Sequence, residues 1–437
     1  MRLKRMSELT GTIRVPGDKS ISHRSVILGS IAEGDTLVRG FLKSADCIST
    51  VACLREMGVS IEEVPDPADP LRKQVLRVRG TGLRGLVKPQ NALDAGNSGT
   101  TVRLLAGILA GQGFDSVITG DLSLSKRPMR RIMTPLETMG ISVESLGDND
   151  CLPLLIRGGS PKAARYRSRI ASAQVKSCVL LAALYAEDPT FYSEPSLSRN
   201  HTELMLTAFG GNLKIRRRPD SGEVTTILYP GTVLSAQEIT VPGDISSAAY
   251  FLAAGLLVPR SEILLTNVGI NETRDGILRV IRDMGGRVDM TNVRLEGGEP
   301  VADLLVRSSS LHGTVIGGPL IPTLIDELPV IAVMASFAEG KTVIQDAAEL
   351  RVKESDRIAA VAQGLRSMGI TVDETEDGMV IFGGKPKGAL IRSGGDHRIA
   401  MAFSVAGICA SGTTEITDTD CVKISYPNFY RDLMSLT

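Results

Sequence analysis

The chain has 437 residues, 43% hydrophobic and 22% charged, and its 49 Lys+Arg balance 49 Asp+Glu to a formal net charge of zero. That length suits two domains of roughly 200 residues, and the absence of a basic excess excludes a general nucleic-acid binder. Six Cys (47, 53, 151, 178, 409, 421) without a CxxC, and four scattered His, argue against a zinc site and a disulfide framework.

From the N-terminus, residues 1–7 carry no apolar signal region. The longest apolar stretches, near 179–186 and 330–338, are too short to span a membrane. A cytoplasmic, membrane-free protein is expected. Trp is absent and aromatics are 4%, so small aliphatic side chains and 45 Gly must do the packing.

One pattern recurs along the chain: a polar start, an apolar helix, a short turn and a β-rich strand. Its copies open at SISHRSVILGSIAEGDTLVRG (20–40), SGTTVRLLAGILAGQGFDSVITG (98–120) and SAQVKSCVLLAALYAEDPTFYS (from 172). They continue at DISSAAYFLAAGLLVPRSEILLTN (from 244), IDELPVIAVMASFAEGKTVIQD (from 325) and GDHRIAMAFSVAGICASGTTEITD (from 395). Between them a second helix ends in a similar turn: LREMGVSIE (54–62), LETMGISVE (136–144), LTAFGGNLK (206–214), IRDMGGRVD (281–289) and LRSMGITVD (365–373). The Gly there is predicted to cap the helix at positive φ before a strand. A sixth such helix is expected to end near residue 434.

VPGD occurs at 15–18 and again at 241–244, which divides six units into three and three. The predicted domains are 18–242, and 243–437 joined by 1–17, whose strand would pair with the second half. The even division favours two compact domains over an elongated solenoid.

Copies of a repeat serve as controls for one another. Lys19 and Arg24 stand at the first VPGD helix, where the second has Ile245 and Tyr250. A helix start, with unpaired N–H groups and a positive dipole end, attracts phosphate or carboxylate, and added cations strengthen it. Asn97, Gly99 and Arg103 open the second copy, Ser172, Ala173, Gln174 and Lys176 the third, and Arg398 the sixth. Each Ser or Asn also serves as an ordinary cap. SKRPMRR at 125–131, holding Arg127, and RVKESDR at 351–357 are dense in cations, and Lys353 and Arg357 are predicted to share a helix face at i, i+4. GTGLRG at 80–85 lacks the following helix of a dinucleotide site, and GDKS at 17–20 lacks P-loop spacing.

GDKSISHR (17–24), GNSGT (96–100), RVKESDR (351–357) and DHR (396–398) together resemble the enolpyruvylshikimate-phosphate synthase (3-phosphoshikimate 1-carboxyvinyltransferase) family nearly end to end. SAQVK (172–176), RNHTE (199–203) and NETR (271–274) look like its second class, common in bacteria. The resemblance implies an α/β (α+β) fold, a two-domain inside-out α/β barrel of six βαβαββ repeats, three per domain, closing on substrate. It implies that Lys19, Ser20, Arg24, Ser172, Ala173, Gln174, Asp326 and Lys353 contact 3-phosphoshikimate, with Arg199 added from the second-class pattern. Lys19, Gly99, Arg127, Gln174, Arg357, Arg398 and Lys423 would hold phosphoenolpyruvate, and Asn97 adds a donor beside Gly99. Glu349 stands where many relatives have Asn.

Asp326 is expected to take the hydroxyl proton and Glu354 to serve the methylene carbon, with Lys19 assisting. No cofactor or metal is implied, and a monomer is expected. Two sister readings stay open. A UDP-N-acetylglucosamine enolpyruvyl transferase would usually carry a Cys within about 113–127, where none occurs. A non-catalytic sensor of phosphorylated metabolites would be expected to lack Asp326 or Glu354.

Overall fold

The computed structural model describes residues 1–437, with the side chains of all but 69–73. In chain order its α-helices are α1 (Lys19–Ile31), α2 (Ala45–Glu56), α3 (Gly99–Leu109), α4 (Arg130–Thr138), α5 (Ala173–Ala183), α6 (His201–Ala208) and α7 (Ile245–Leu257). They continue with α8 (Gly276–Asp283), α9 (Ile321–Leu324), α10 (Leu328–Phe337), α11 (Arg357–Ser367), α12 (His397–Cys409) and α13 (Phe429–Met434). Asp18, Ser98, Ser172, Asp244 and Asp396 cap α1, α3, α5, α7 and α12, each accepting a backbone N–H from the first turn. The second helices end as their sequences predict. Gly58, Gly140, Gly210, Gly285 and Gly369 follow α2, α4, α6, α8 and α11 with φ between +80° and +94°, a backbone region costly for any residue bearing a Cβ.

The fifth copy departs from its siblings. Its apolar run does not open one helix at Ile325; a turn at 325–327 separates α9 from α10, and Asp326 lies in that turn rather than at a helix start. Pro322 and Pro329 each sit in the first turn of their short helices, where a missing N–H is tolerated.

In the second, third and fifth copies the opening segment connects two parallel strands, and an antiparallel pair completes the sheet. In the second copy the order is Leu93–Asp94, Ser116–Thr119, Leu154–Ile156, Val143–Ser145, with Leu93 opposite Ile118 and Val117 opposite Leu155. The third copy repeats this order. Distant segments complete other sheets: Glu238–Thr240 runs parallel to Asp35–Arg39, and Thr10–Ile13 runs parallel to Glu262–Gly269. In the sixth sheet Arg2–Lys4 pairs antiparallel with Thr413–Thr417, giving three strands where the other sheets have four.

By internal contact the chain forms two compact units. One comprises 1–16, 242–294 and 300–437, the other 17–241 with 295–299. The segment 295–299 groups with 17–241, where His201 Nδ1 lies 2.7 Å from Glu299 Oε1. No single helix is long and apolar enough to cross a membrane.

Each unit has its own aliphatic core, and the opening helices are buried along almost their whole length. Rings are concentrated at α13: Phe429 packs edge-on against Tyr250 at 5.8 Å and Phe251 at 5.9 Å, and Tyr426 lies 5.8 Å from Phe251. Aromatic pairs of this kind add ~0.5–1.5 kcal/mol each to plain burial, and here they fasten the last helix onto α7. In the other unit the decisive contact is a small one. A Cβ at Gly107 would come within 2.3 Å of the Cys178 carbonyl oxygen, so α3 and α5 meet backbone to backbone.

Because that carbonyl belongs to a helix and cannot step aside, Gly107→Ala is expected to destabilise the 17–241 unit by about 1–3 kcal/mol. Urea unfolding should show the loss as a lower midpoint with an unchanged slope.

Candidate active site

In the 17–241 unit three helix starts carry most of the foreseen residues. Lys19 is the first residue of α1 and pairs with Asp46 of α2. Ser20 follows it. Arg24 lies one turn deeper and is 4% exposed. Its Nε donates to Thr202 Oγ1 at 2.6 Å, Nη2 to Ser177 Oγ at 2.9 Å and Nη1 to the Ser20 carbonyl at 2.9 Å. Every one of these acceptors is neutral. Burial pushes its pKa down to about 10, against the opposing pull of Glu203.

At α3, Ser98 is the cap, and behind it runs a hydroxyl chain. Thr101 Oγ1 donates to Ser98 Oγ at 2.7 Å, lies 2.7 Å from Thr50 Oγ1, and Thr50 lies 2.7 Å from His23 Nδ1. Burial, then Lys19 and Arg24, hold His23 well below its ordinary pKa, so the ring is neutral. Asn97 is exposed; its Nδ2 donates to Asp121 Oδ2 at 2.8 Å and its Oδ1 accepts from Arg127 Nη2 at 3.0 Å. Asp121 also accepts the backbone N–H groups of Ser123 and Leu124, which ties the 121–127 loop to the α3 start. Gly99 is buried, and a Cβ there would meet Arg103 Nη1 at 2.6 Å.

At α5, Ser172 is the cap and Ala173 the first helical residue. Gln174 is held at both ends of its amide: Oε1 accepts from Arg103 Nη1 at 2.8 Å, and Nε2 donates to Thr100 Oγ1 at 3.2 Å. Lys176, counted among the polar groups of this start, turns inward instead. Its ammonium is fully buried between Glu194 at 2.8 Å and Glu203 at 2.7 Å, and it donates to the Ser198 carbonyl at 3.2 Å. Two buried carboxylates need a cation more than the surface does. Arg199, next to Ser198, is half-buried and near enough to Arg24 to repel its charge.

In the other unit the foreseen cations are already engaged with carboxylates. Arg357 is 1% exposed; its Nε donates to Asp396 Oδ2 at 2.9 Å and its Nη2 to Glu354 Oε2 at 2.5 Å. Its Nη1 lies 3.7 Å from Asp326 Oδ1, and Arg398 Nη2 lies 3.7 Å from Asp326 Oδ2. Arg398 Nη1 also donates to the Asp326 carbonyl at 3.1 Å. Asp326, Glu354, Arg357 and Arg398 are thus brought together. Burial, Arg398 and Arg357 hold His397 neutral, its pKa down at about 3.

The RVKESDR run is not one helix face. Asp356 caps α11, so Arg357 is its first residue, and Lys353 lies in the preceding turn. The cap wins because the Asp356 side chain accepts the Ala359 N–H at 3.0 Å. Lys353 pairs with Glu349 at 2.5 Å and Lys423 with Asp420 at 2.7 Å. Among the described residues no group of three or more His, Cys, Asp or Glu is arranged to hold a metal ion. Asp46 and Asp121 are partners that the sequence pattern did not single out, and the bond from Arg103 to Gln174 was not foreseen. Their pairings cross 27, 24 and 71 residues, beyond the reach of local spacing.

A model of EPSP synthase (3-phosphoshikimate 1-carboxyvinyltransferase) matches residues 3–433. The chain belongs to the EPSP synthase family. It is 52% identical over 432 residues to a 3-phosphoshikimate 1-carboxyvinyltransferase of Thermoanaerobacter sp., covering 99% of this chain and 98% of the relative. The Desulforamulus reducens enzyme of the same name is 50% identical over 97% of this chain and 96% of its own. Among solved structures, an EPSP synthase from Acinetobacter baumannii superposes with TM-score 0.89 at 44% identity, covering 99% of this chain and 97% of that one. The enolpyruvyl transferase NikO from Streptomyces tendae shares the fold at TM-score 0.77 and 16% identity, covering 100% and 96% of the two chains. The two-domain enolpyruvyl transferase fold expected from the sequence is therefore the observed one.

Removing the buried ammonium while keeping its volume leaves Glu194 and Glu203 facing each other without a cation. Lys176→Met is expected to cost about 3–5 kcal/mol of stability, read by denaturant unfolding. A loss below 1 kcal/mol would mean that the two carboxylates find other partners.

Proposed function

We propose that the protein transfers the carboxyvinyl group of phosphoenolpyruvate to the 5-hydroxyl of 3-phosphoshikimate, releasing phosphate on the route to chorismate and the aromatic amino acids. We read it as a cytoplasmic monomer that needs neither cofactor nor metal, built as domains 18–242 and 243–437 with 1–17. The observation that carries the reading is that the chain is half-identical to the family's enzymes along its whole length and keeps the motif residues quoted above, Glu349 apart. Lys19, Ser20, Arg24, Ser172, Ala173, Gln174, Arg199, Asp326 and Lys353 bind 3-phosphoshikimate. Lys19, Asn97, Gly99, Arg127, Gln174, Arg357, Arg398 and Lys423 bind phosphoenolpyruvate.

Magnitudes decide which ion pairs yield to substrate. Lys423 and Asp420 are 69% and 92% exposed, so their pair is worth little and exchanges readily for a ligand anion. The Arg357–Asp396 pair is dry, and breaking it would leave a buried charge uncompensated at several kcal/mol. Asp396 therefore keeps Arg357 oriented while its other guanidinium face serves the substrate.

The same exchange sets the acids and bases. Burial raises the Glu354 carboxyl, but Arg357, His397, a backbone hydrogen bond and Arg398 together outweigh it, leaving it below its ordinary range. When Arg357 turns to a substrate carboxylate, Glu354 loses part of that stabilisation and its affinity for a proton rises. Asp326 likewise gains basicity as Arg357 and Arg398 engage the ligand. Asp326 takes the proton of the attacking hydroxyl, whose oxygen bonds to C2 of phosphoenolpyruvate, while Glu354 delivers a proton to the methylene carbon. Glu354 then takes a proton back from that methyl carbon as the C–O bond to phosphate breaks, restoring the vinyl group, and the departing phosphate takes up the proton held by Asp326. Lys19, at the start of α1, would balance the departing charge.

Inorganic phosphate release is the test. Release from phosphoenolpyruvate is expected with 3-phosphoshikimate and not with UDP-N-acetylglucosamine; the reverse would move the chain to the sister activity, and binding without release would leave a sensor.

Asp326→Asn keeps the shape and removes the base. A fall in kcat of about 10²–10⁴ is expected, with dissociation constants for both substrates nearly unchanged. Turnover near wild type would end the assignment.

A further inference from the structure

Arg103 has no place in the chemistry above, yet it is 9% exposed and carries a full charge inside the 17–241 unit. Its situation differs from that of the other buried cations. Lys176 has two glutamates, Arg274 has Asp244 and Glu327, and Arg357 has Asp396 and Glu354. Among the described residues Arg103 has no ion pair. Its Nη1 donates to Gln174 Oε1 at 2.8 Å, and its buried Nε has no hydrogen-bond partner. The charges nearest to it are further cations, Arg131 and Arg127, and burial together with them brings its pKa down to about 10. A buried guanidinium without an anion costs stability, so its retention calls for a role.

Geometry points to one. The guanidinium lies against the Gly99 backbone, because a Cβ there would meet Nη1 at 2.6 Å. On its other side it sets the Gln174 amide. With Oε1 accepting from Arg103, the Nε2 donors must point away, one of them to Thr100 Oγ1 at 3.2 Å. Lacking Arg103, the amide is free to rotate by 180°, which would present an oxygen where the family reading needs a donor for an anion.

We propose that Arg103 is a positioning residue: it locks the Gln174 amide with its N–H groups toward the ligand and supplies an uncompensated positive charge beneath the Gly99 turn for the anion bound there. The proposal rests on the function read above. It extends that reading to a residue that touches no substrate itself, and it accounts for the missing side chain at position 99, since any Cβ would displace the guanidinium from Gln174.

The experiment compares Arg103→Met, Arg103→Lys, Gln174→Ala and the Arg103→Met/Gln174→Ala double variant in the full chain. Phosphate release gives kcat and KM for each substrate, and thermal unfolding is followed in parallel. Arg103→Met should lower kcat/KM for phosphoenolpyruvate about a hundredfold, the scale expected when a binding group is misplaced. Its Tm should not fall, because an unpaired buried charge has gone. Arg103→Lys, which keeps the charge and one donor, should recover at least tenfold of that loss. In the Gln174→Ala background the Met substitution should cost at least threefold less than its single effect, the remainder being the lost charge, since the group it positions is absent.

Wild-type kinetics for both substrates with Arg103→Met, or full additivity with Gln174→Ala, would overturn the proposal. Should the Met variant fail to fold, the Lys variant and its own cycle with Gln174→Ala decide by the same criterion. A wild-type chain that releases no phosphate with 3-phosphoshikimate would instead sink the function on which the proposal rests, and that arm is read first.

Discussion

Arg357 and Asp396 meet at 2.9 Å where neither touches water, and the arrangement of the 242–437 site groups depends on that pair. Asp396 does two jobs with one carboxylate: Oδ1 caps α12 through the Arg398 N–H, and Oδ2 holds Arg357, the first residue of α11. Two helices are thereby fixed at their positive ends, and the guanidinium of Arg357 is left with its remaining nitrogens toward Asp326 and Glu354. A charge-assisted pair in a dry setting is stiff because breaking it strands a charge. The acids around it are held by distances of 2.5–3.7 Å that a mobile surface lysine would not maintain.

The 17–241 unit solves the matching problem with other means. Arg24 is surrounded by hydroxyl and carbonyl oxygens, Arg127 is tied to an amide, and Arg103 to another amide. Neutral acceptors orient a cation without cancelling its field. Carboxylates appear at Lys19, which pairs with Asp46, and at Lys176, where they are turned inward and serve the fold. On the proposed function, an anion arriving at Arg24, Arg103 or Arg127 would meet charge that is positioned but not neutralised, whereas at Lys19 and in the other unit it would have to displace a carboxylate.

Much of this architecture is legible in the sequence because it repeats. Gly58, Gly140, Gly210, Gly285 and Gly369 each recur at the same distance after an apolar run, and only a left-handed cap explains five glycines in register. Ser98 and Ser172 were open between capping and ligand binding; both are caps, which leaves their hydroxyls spoken for in the absence of substrate. Three things escaped the pattern for physical reasons. The cap at Asp356 shortened α11 and removed Lys353 from its face, since a side-chain hydrogen bond outcompetes propensity at a helix start. The break at 325–327 follows from prolines whose effect depends on which turn they occupy. Asp121 and Arg103 act across 24 and 71 residues, and no periodicity encodes a contact made between repeats.

The repeat also isolates what the function adds to the fold. Asp18 and Asp244 cap α1 and α7, accepting from the Ile21 and Ser246 N–H groups, and Arg24 and Tyr250 each lie six residues after the cap of their own helix. In α7 that position holds a ring, 2% exposed and edge-on to Phe429, which is what a core site favours. In α1 the equivalent position is 4% exposed and holds a guanidinium, with Thr202, Ser177 and the Ser20 carbonyl arranged to satisfy it. Packing alone would select the ring at both sites, since burying an arginine costs solvation that its three neutral partners only partly return. One scaffold thus carries two solutions at one position, and the less stable one places a charge, oriented by neutral partners, at a helix start.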